Sequence, residues 1–232
     1  MAGTAVSIEA LGTMKLYAHF SSIPSGRALL MLSMAGIDIE YVDVDVLSRK
    51  NHLPHFRALT PFAQVPVLDD DGVFVCQSPV ILTYLAEKTG RFASGDAAEQ
   101  REIQAWLFCD ADMGGSLRIT RSFTVIFPGI DPAVLAFHTE RARRLLAMLD
   151  AHLGRRDFLV GGRPTIADIS FFPLVGSAPE GGLTLDPYAH IEAWRERLMS
   201  LPGCLPHYEL MARYTTVDMN AFPATAKREE RL

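Results

Sequence analysis

One change of texture along this chain constrains its fold more than anything else in the sequence. Up to about residue 90, short runs with a side-chain period of two alternate with helical runs, whereas from about Asp96 only helical periods occur. In the first part, Met14–His19 reads as a short strand centred on Leu16. Arg27–Ala35 reads as a helix stopped by Gly36. Ile37–Val46 follows as a half-buried strand in which Val42, Val44 and Val46 alternate with Asp43 and Asp45. Strand, helix, strand is a βαβ unit, whose two strands are expected side by side and parallel. Val65–Leu68 and Val73–Cys76 then flank the turn Asp69-Asp70-Asp71-Gly72 and predict an antiparallel hairpin. Gln77-Ser78-Pro79 opens a helix to about Lys88, with Ser78 expected as N-cap and Pro79 at the first helical position.

The order βαβ–ββα on one small sheet is a thioredoxin-like plan. Past Asp96, Asp131-Pro132 starts a helix by the same logic, and Leu135, Ala142, Leu145, Leu149 and Leu153 recur on one face of it. Thr165-Ile166-Ala167-Asp168 has the form of a capping box with Asp for the usual Glu, which makes Asp168 structural. Asp186-Pro187 starts a further helix, with Ile191, Trp194, Leu198 and Leu201 as its stripe and Pro202-Gly203 as its end. The expected organisation is therefore a thioredoxin-like α/β domain over 14–90 and an all-helical bundle over 96–214, with flexible termini at 1–13 and 215–232.

With 49% hydrophobic and 21% charged residues, the 232-residue chain has a globular balance sufficient for two modest domains. A net charge of −5 advertises no nucleic acid or anionic lipid as a partner. Cys76, Cys109 and Cys204 form no CxxC or zinc-knuckle spacing, which argues against a disulfide framework, a structural metal and thioredoxin-type thiol–disulfide exchange. Neither a signal peptide nor a run approaching the ~20 apolar residues of a membrane helix is evident. A cytoplasmic protein with no membrane partner is expected.

A small βαβ–ββα domain followed by a helical one resembles the cytosolic glutathione transferase superfamily, over roughly Met14 to Tyr214. Thr60-Pro61-Phe62-Ala63-Gln64-Val65-Pro66-Val67-Leu68 and Gln77-Ser78-Pro79-Val80-Ile81-Leu82-Thr83-Tyr84-Leu85 are similar to that family's NPxGQVPVL…ESxAIxxYL pattern, with Thr60, Ala63 and Gln77 as departures. Gly161–Asp168 is similar to the buried helix start of its helical domain. The resemblance implies glutathione as co-substrate and a small, largely apolar electrophile as second substrate. It also implies a two-fold homodimer whose axis is crossed by the helical domain's first helices. It implies a cis Val65–Pro66 bond, with the backbone of Val65 pairing antiparallel to the tripeptide. Ser78 and Gln77 would hold the γ-glutamyl end at a helix N-terminus, and Gln64 would lie near the ligand backbone. His52 roughly matches a histidine that reaches the glycine carboxylate, with spacing one residue short, so His55 stays open for that role.

The chemistry of the family is stabilisation of the glutathione thiolate. A free thiol has a pKa near ~8.5, and lowering it by about two units takes roughly 2.7 kcal/mol. A hydroxyl hydrogen bond at a helix N-terminus supplies energy of that order, and it must sit where the first strand exits. Phe20-Ser21-Ser22-Ile23-Pro24-Ser25-Gly26-Arg27 is similar to the zeta-type loop FRSSCSWR and differs from it at Ile23, Pro24 and Gly26. Ser22, five residues before Arg27, is the candidate catalytic hydroxyl, with Ser21 and Ser25 as alternatives. Tyr17 lies too early, inside the strand. Conjugation is the leading reading; glutathione-dependent isomerisation, reduction or ether cleavage, and a non-catalytic binding module, stay open on the same fold.

Overall fold

The computed structural model of the chain describes residues 14–127 and 129–216. Apart from Thr215 and Thr216, the expected flexible termini lie outside the described residues. β1 (Met14–Ala18) pairs parallel with β2 (Ile39–Asp43) and antiparallel with β3 (Val67–Asp70), which pairs antiparallel with β4 (Val73–Cys76). The sheet order is β2-β1-β3-β4. As a central strand, β1 buries Met14, Leu16 and Ala18 completely. β2 is shorter than the alternation of valines predicted: beyond Asp43, Val44 keeps one bond to β1, its N–H on the Ala18 carbonyl at 2.8 Å, and is buried in a small cluster with Phe56 and Val67. The hairpin turn is tighter than expected. Asp69 and Asp70 belong to β3, and only Asp71 (φ 53°) and Gly72 (φ 87°) turn, both left-handed as a two-residue hairpin demands. The Asp69 carboxylate accepts from the Gly72 N–H at 2.8 Å.

The helix after β1 corrects the sequence reading in a way that matters for the site. α1 runs over Ile23–Ala35, four residues earlier than expected at its start. Ser, Pro and Gly in Ser22–Gly26 look like loop residues, yet each suits a first helical turn. Ser22 is an extended N-cap (φ −89°, ψ 109°) and Pro24 occupies a position where no N–H is needed. Gly36 (φ 71°) ends the helix with its N–H on Leu32 and Ser33 carbonyls. Apolar nearly all round, α1 is buried, packed on α3 (Ser78–Thr89) and α9 (His207–Met211). A single helical turn, α2 (Pro54–Arg57), crosses between β2 and β3.

A second compact unit is helical and begins at residue 94. It holds α4 (Ala97–Asp112), α5 (Gly114–Arg121), α6 (Pro132–Leu153), α7 (Ile166–Gly176) and α8 (Ala189–Met199). Asp96 caps α4 and Asp131 caps α6 through their carboxylates. α7 is the core helix, with Ile169, Phe171, Leu174 and Val175 at 0% exposure. α8 starts at Ala189 rather than at Asp186-Pro187. Its first N–H groups are capped from a distance, since Asp150 of α6 accepts from His190 N (2.9 Å) and Ile191 N (3.1 Å). Among the described residues, no helix is long and apolar enough to cross a membrane.

The expected extent of the helical domain, 96–214, is also corrected. Residues 201–215 return to the unit that holds the sheet. Gly203 comes so close to α1 that a Cβ there would lie 2.4 Å from the Ser33 carbonyl oxygen, and the Ser33 hydroxyl donates to the Gly203 carbonyl at 2.7 Å. Tyr214 stacks on Tyr41 of β2.

Candidate active site

The strand exit is a tight turn closed by Ser22 N–H on the His19 carbonyl (3.0 Å), and Gly26 N–H on the Ser22 carbonyl (3.0 Å) carries it into α1. The Ser22 Oγ accepts from Ser25 N–H at 3.2 Å, so its own proton is left to donate. Ser22 is half-buried, whereas Ser21 and Ser25 are buried. Ser21 Oγ pairs with His19 Nδ1 at 2.8 Å, and Ser25 Oγ accepts from His19 N–H at 3.4 Å. Of the three serines that the sequence left open, Ser22 thus combines partial exposure with a hydroxyl proton that the cap does not use.

Two buried imidazoles surround this turn. His19 is 3% exposed, and its Nδ1 accepts from Ser21 N–H at 3.3 Å, which puts the ring proton on Nε2. Burial pushes its pKa below the usual histidine value, against the pull of Asp43 and Asp45 in the other direction. The second imidazole, His207, reaches the Phe20 carbonyl with Nε2 at 2.8 Å.

The second cluster is formed by the segment before β3 and the start of α3. The Val65–Pro66 bond is cis. Val65 stands half-buried just before the ladder, whose first register pair is Tyr17↔Val67, and Pro66 is buried. Gln77 Nε2 donates to exposed Gln64 Oε1 at 3.1 Å, which brings these two candidates together. Gln77 has φ 69° and ψ 120°, and it takes the N-cap place that the sequence reading gave to Ser78. A non-glycine residue in that conformation costs about 1–3 kcal/mol and persists where its surroundings impose it. Ser78, 4% exposed, is the first residue of the helix, and its hydroxyl accepts from Arg27 Nη1 at 3.4 Å. Ala63 is left-handed too (φ 49°), the physical reason for a glycine at that place in the family pattern.

His52 and His55 are both exposed, and neither ring is hydrogen-bonded to any other candidate residue. Asn51, which no motif marks, donates from Nδ2 to the Ala63 carbonyl at 2.7 Å and so ties the histidine segment to the loop before Val65. Arg27, which in the sequence serves only to place Ser22, links α1 to Ser78. None of the three cysteines lies within 19–26. Burial pushes the Cys204 thiol up to about 12 and raises that of Cys109.

A four-stranded βαβ–ββα sheet with a hydroxyl at its first helix start and a proline-ended loop before β3 defines a thioredoxin-like domain, followed here by a helical one. The family model described as glutathione S-transferase, N-terminal domain, matches residues 12–87, and the model of the corresponding C-terminal domain matches 125–202. The chain belongs to the cytosolic glutathione S-transferase superfamily. It is 27% identical over 189 residues to glutathione S-transferase F10 of Arabidopsis thaliana, covering 76% of this chain and 87% of that one. It is 29% identical over 194 residues to the disulfide-bond oxidoreductase YfcG of Escherichia coli, covering 80% and 90%. The crystal structure of a glutathione S-transferase from Pseudomonas fluorescens superposes with a TM-score of 0.81 at 26% identity, over 84% of this chain and 99% of that one.

Proposed function

We propose that this chain is a glutathione transferase of the serine type. Ser22 donates a hydrogen bond to the glutathione thiolate, and the thiolate attacks an electrophilic carbon of a small, largely apolar substrate. A C–S bond forms as the leaving group departs with its electron pair. The observation that carries this reading is the Ser22 hydroxyl at the N-terminus of α1, half-buried, accepting from Ser25 N–H and keeping its proton. The helix dipole adds to the same end. Val65 pairs its backbone with the tripeptide, and the N-terminus of α3 at Ser78, with Gln77, receives the γ-glutamyl carboxylate. Gln64, bonded to Gln77, lies along the ligand backbone, and the exposed His52, or His55 in its place, offers a ring N–H to the glycyl carboxylate.

Reduction on the same scaffold is the reading that the oxidoreductase relative favours. Against it, no cysteine stands in 19–26, so a protein thiol would have to come from elsewhere. We place the protein in the cytoplasm as a homodimer. Each unit exposes apolar residues that suit such an interface: Phe62, Val73 and Val80 in the first, Phe108 and Phe137 in the second. Calorimetry with glutathione, followed by parallel assays with an aryl halide and a mixed disulfide of glutathione, tests the proposal. Micromolar to millimolar binding and turnover of the aryl halide are expected. Absence of binding at several millimolar removes the reading, and turnover of the disulfide alone replaces conjugation by reduction.

A further inference from the structure

The turn that presents Ser22 has its polar groups held from inside the protein. His19 takes the Ser21 N–H and hydroxyl on one side. On the other, His207 Nε2 lies 2.8 Å from the Phe20 carbonyl, 187 residues away in sequence. A carbonyl only accepts, so Nε2 carries the proton and donates it. Room for this ring comes from Gly26, one helical turn beyond Ser22. A Cβ at Gly26 would fall 2.2 Å from His207 Nδ1, closer than any side chain tolerates. Ser22 and Gly26 are also joined directly through the Gly26 N–H on the Ser22 carbonyl. The imidazole therefore bears on both ends of the segment that fixes the Ser22 hydroxyl.

We propose that His207 is a positioning residue of the active site: it holds the Phe20–Ser22 turn so that the Ser22 hydroxyl keeps its aim at the bound thiol. The functional half rests on the serine role proposed above, while the mechanical half does not. Amide hydrogen exchange of the glutathione-free chain reads the mechanical half. His207→Phe keeps the ring and loses the donor; exchange over 19–26 should rise about fivefold, as the loss of one net hydrogen bond implies, with other helices unchanged. His207→Gln, whose amide nitrogen reaches the same place as Nε2, should restore it. With glutathione, His207→Phe should lower kcat about fivefold and raise the bound thiol's pKa, with KM for glutathione held. Unchanged exchange over 19–26, or a rise spread evenly over the unit, overturns the proposal. So does an unchanged kcat and thiol pKa beside a loosened turn. Where His207→Phe does not fold, Gly26→Ala displaces the ring without removing it, and local protection that survives this variant is equally fatal. A wild-type chain that binds no glutathione sinks the serine role, and the exchange data then judge the bracing by themselves.

Discussion

The starts of α1 and α7 are made from the same parts and differ in what they leave over. At α7, Thr165 and Asp168 form a complete capping box. The Asp168 carboxylate, 0% exposed, accepts from Leu159 N–H, Thr165 N–H, the Thr165 hydroxyl and the Trp194 indole N–H, all within 3.1 Å. Every capacity is used, and the result is a fixed joint. At α1, Ser22 performs the same capping on Ser25 N–H while standing half in solvent with a proton in hand. A cap that is satisfied but not saturated leaves a donor for something else to use.

The comparison breaks most visibly at Asp168. Asp168→Ala orphans buried donors on three residues and should cost about 3–4 kcal/mol, read as a lowered urea midpoint with an unchanged slope. Ser22 should respond in rate instead. Ser22→Gly loses a few tenths of a kcal/mol as an N-cap, Ser22→Ala about 1 kcal/mol, yet both should lose ten- to a hundredfold in turnover with glutathione affinity held. Equal rate loss in the two variants, together with unequal stability, separates the cap from the chemistry; wild-type rates in both would end the serine assignment. A subtler effect belongs to His19. Its pKa is pushed down from 6.5 by burial, so the folded state binds fewer protons than the unfolded one. Its contribution to stability is thus full above about pH 6.5 and falls as pH drops below that value. His19→Asn, which keeps an acceptor near the Nδ1 position, should flatten that decline in a melting series from pH 7 to about pH 5. Smallest of all, Ala63→Gly should relieve the left-handed conformation and raise stability by about 0.5–1 kcal/mol, visible as a small rise in Tm.

Where a cap is local, the sequence discloses it. Asp131-Pro132 and Thr165–Asp168 both do what their spacing says, because donor and acceptor lie within four residues of each other. The hairpin around Gly72 and the parallel pairing of β1 with β2 follow from periods of two and from a short connection. α8 escapes this reading because its cap, Asp150, lies 40 residues upstream of His190, so Asp186-Pro187 offers the nearer but wrong start. α1 starts earlier than its sequence suggests because Ser, Pro and Gly have opposite meanings in a loop and in a first helical turn. The site divides the same way. As candidates, Ser22, Val65, Gln77 and Ser78 come from a family pattern, whereas Arg27, Asn51 and His207 enter through contacts that no local spacing encodes.

The return of residues 201–215 to the sheet unit has a consequence for how the molecule is made. A ribosome delivers the strands and α1 first, yet Gly203 and His207, which seat against Ser33 and Phe20, emerge only after residues 94–200 of the helical unit have been synthesised. The nascent sheet must therefore wait, incompletely packed, through more than a hundred residues of translation. The stretch 94–200, which carries α4 to α8, is free to fold during that interval. The sheet unit, although begun first, is completed only when 201–215 arrives, and the Phe20 carbonyl gains its partner His207 at that late point.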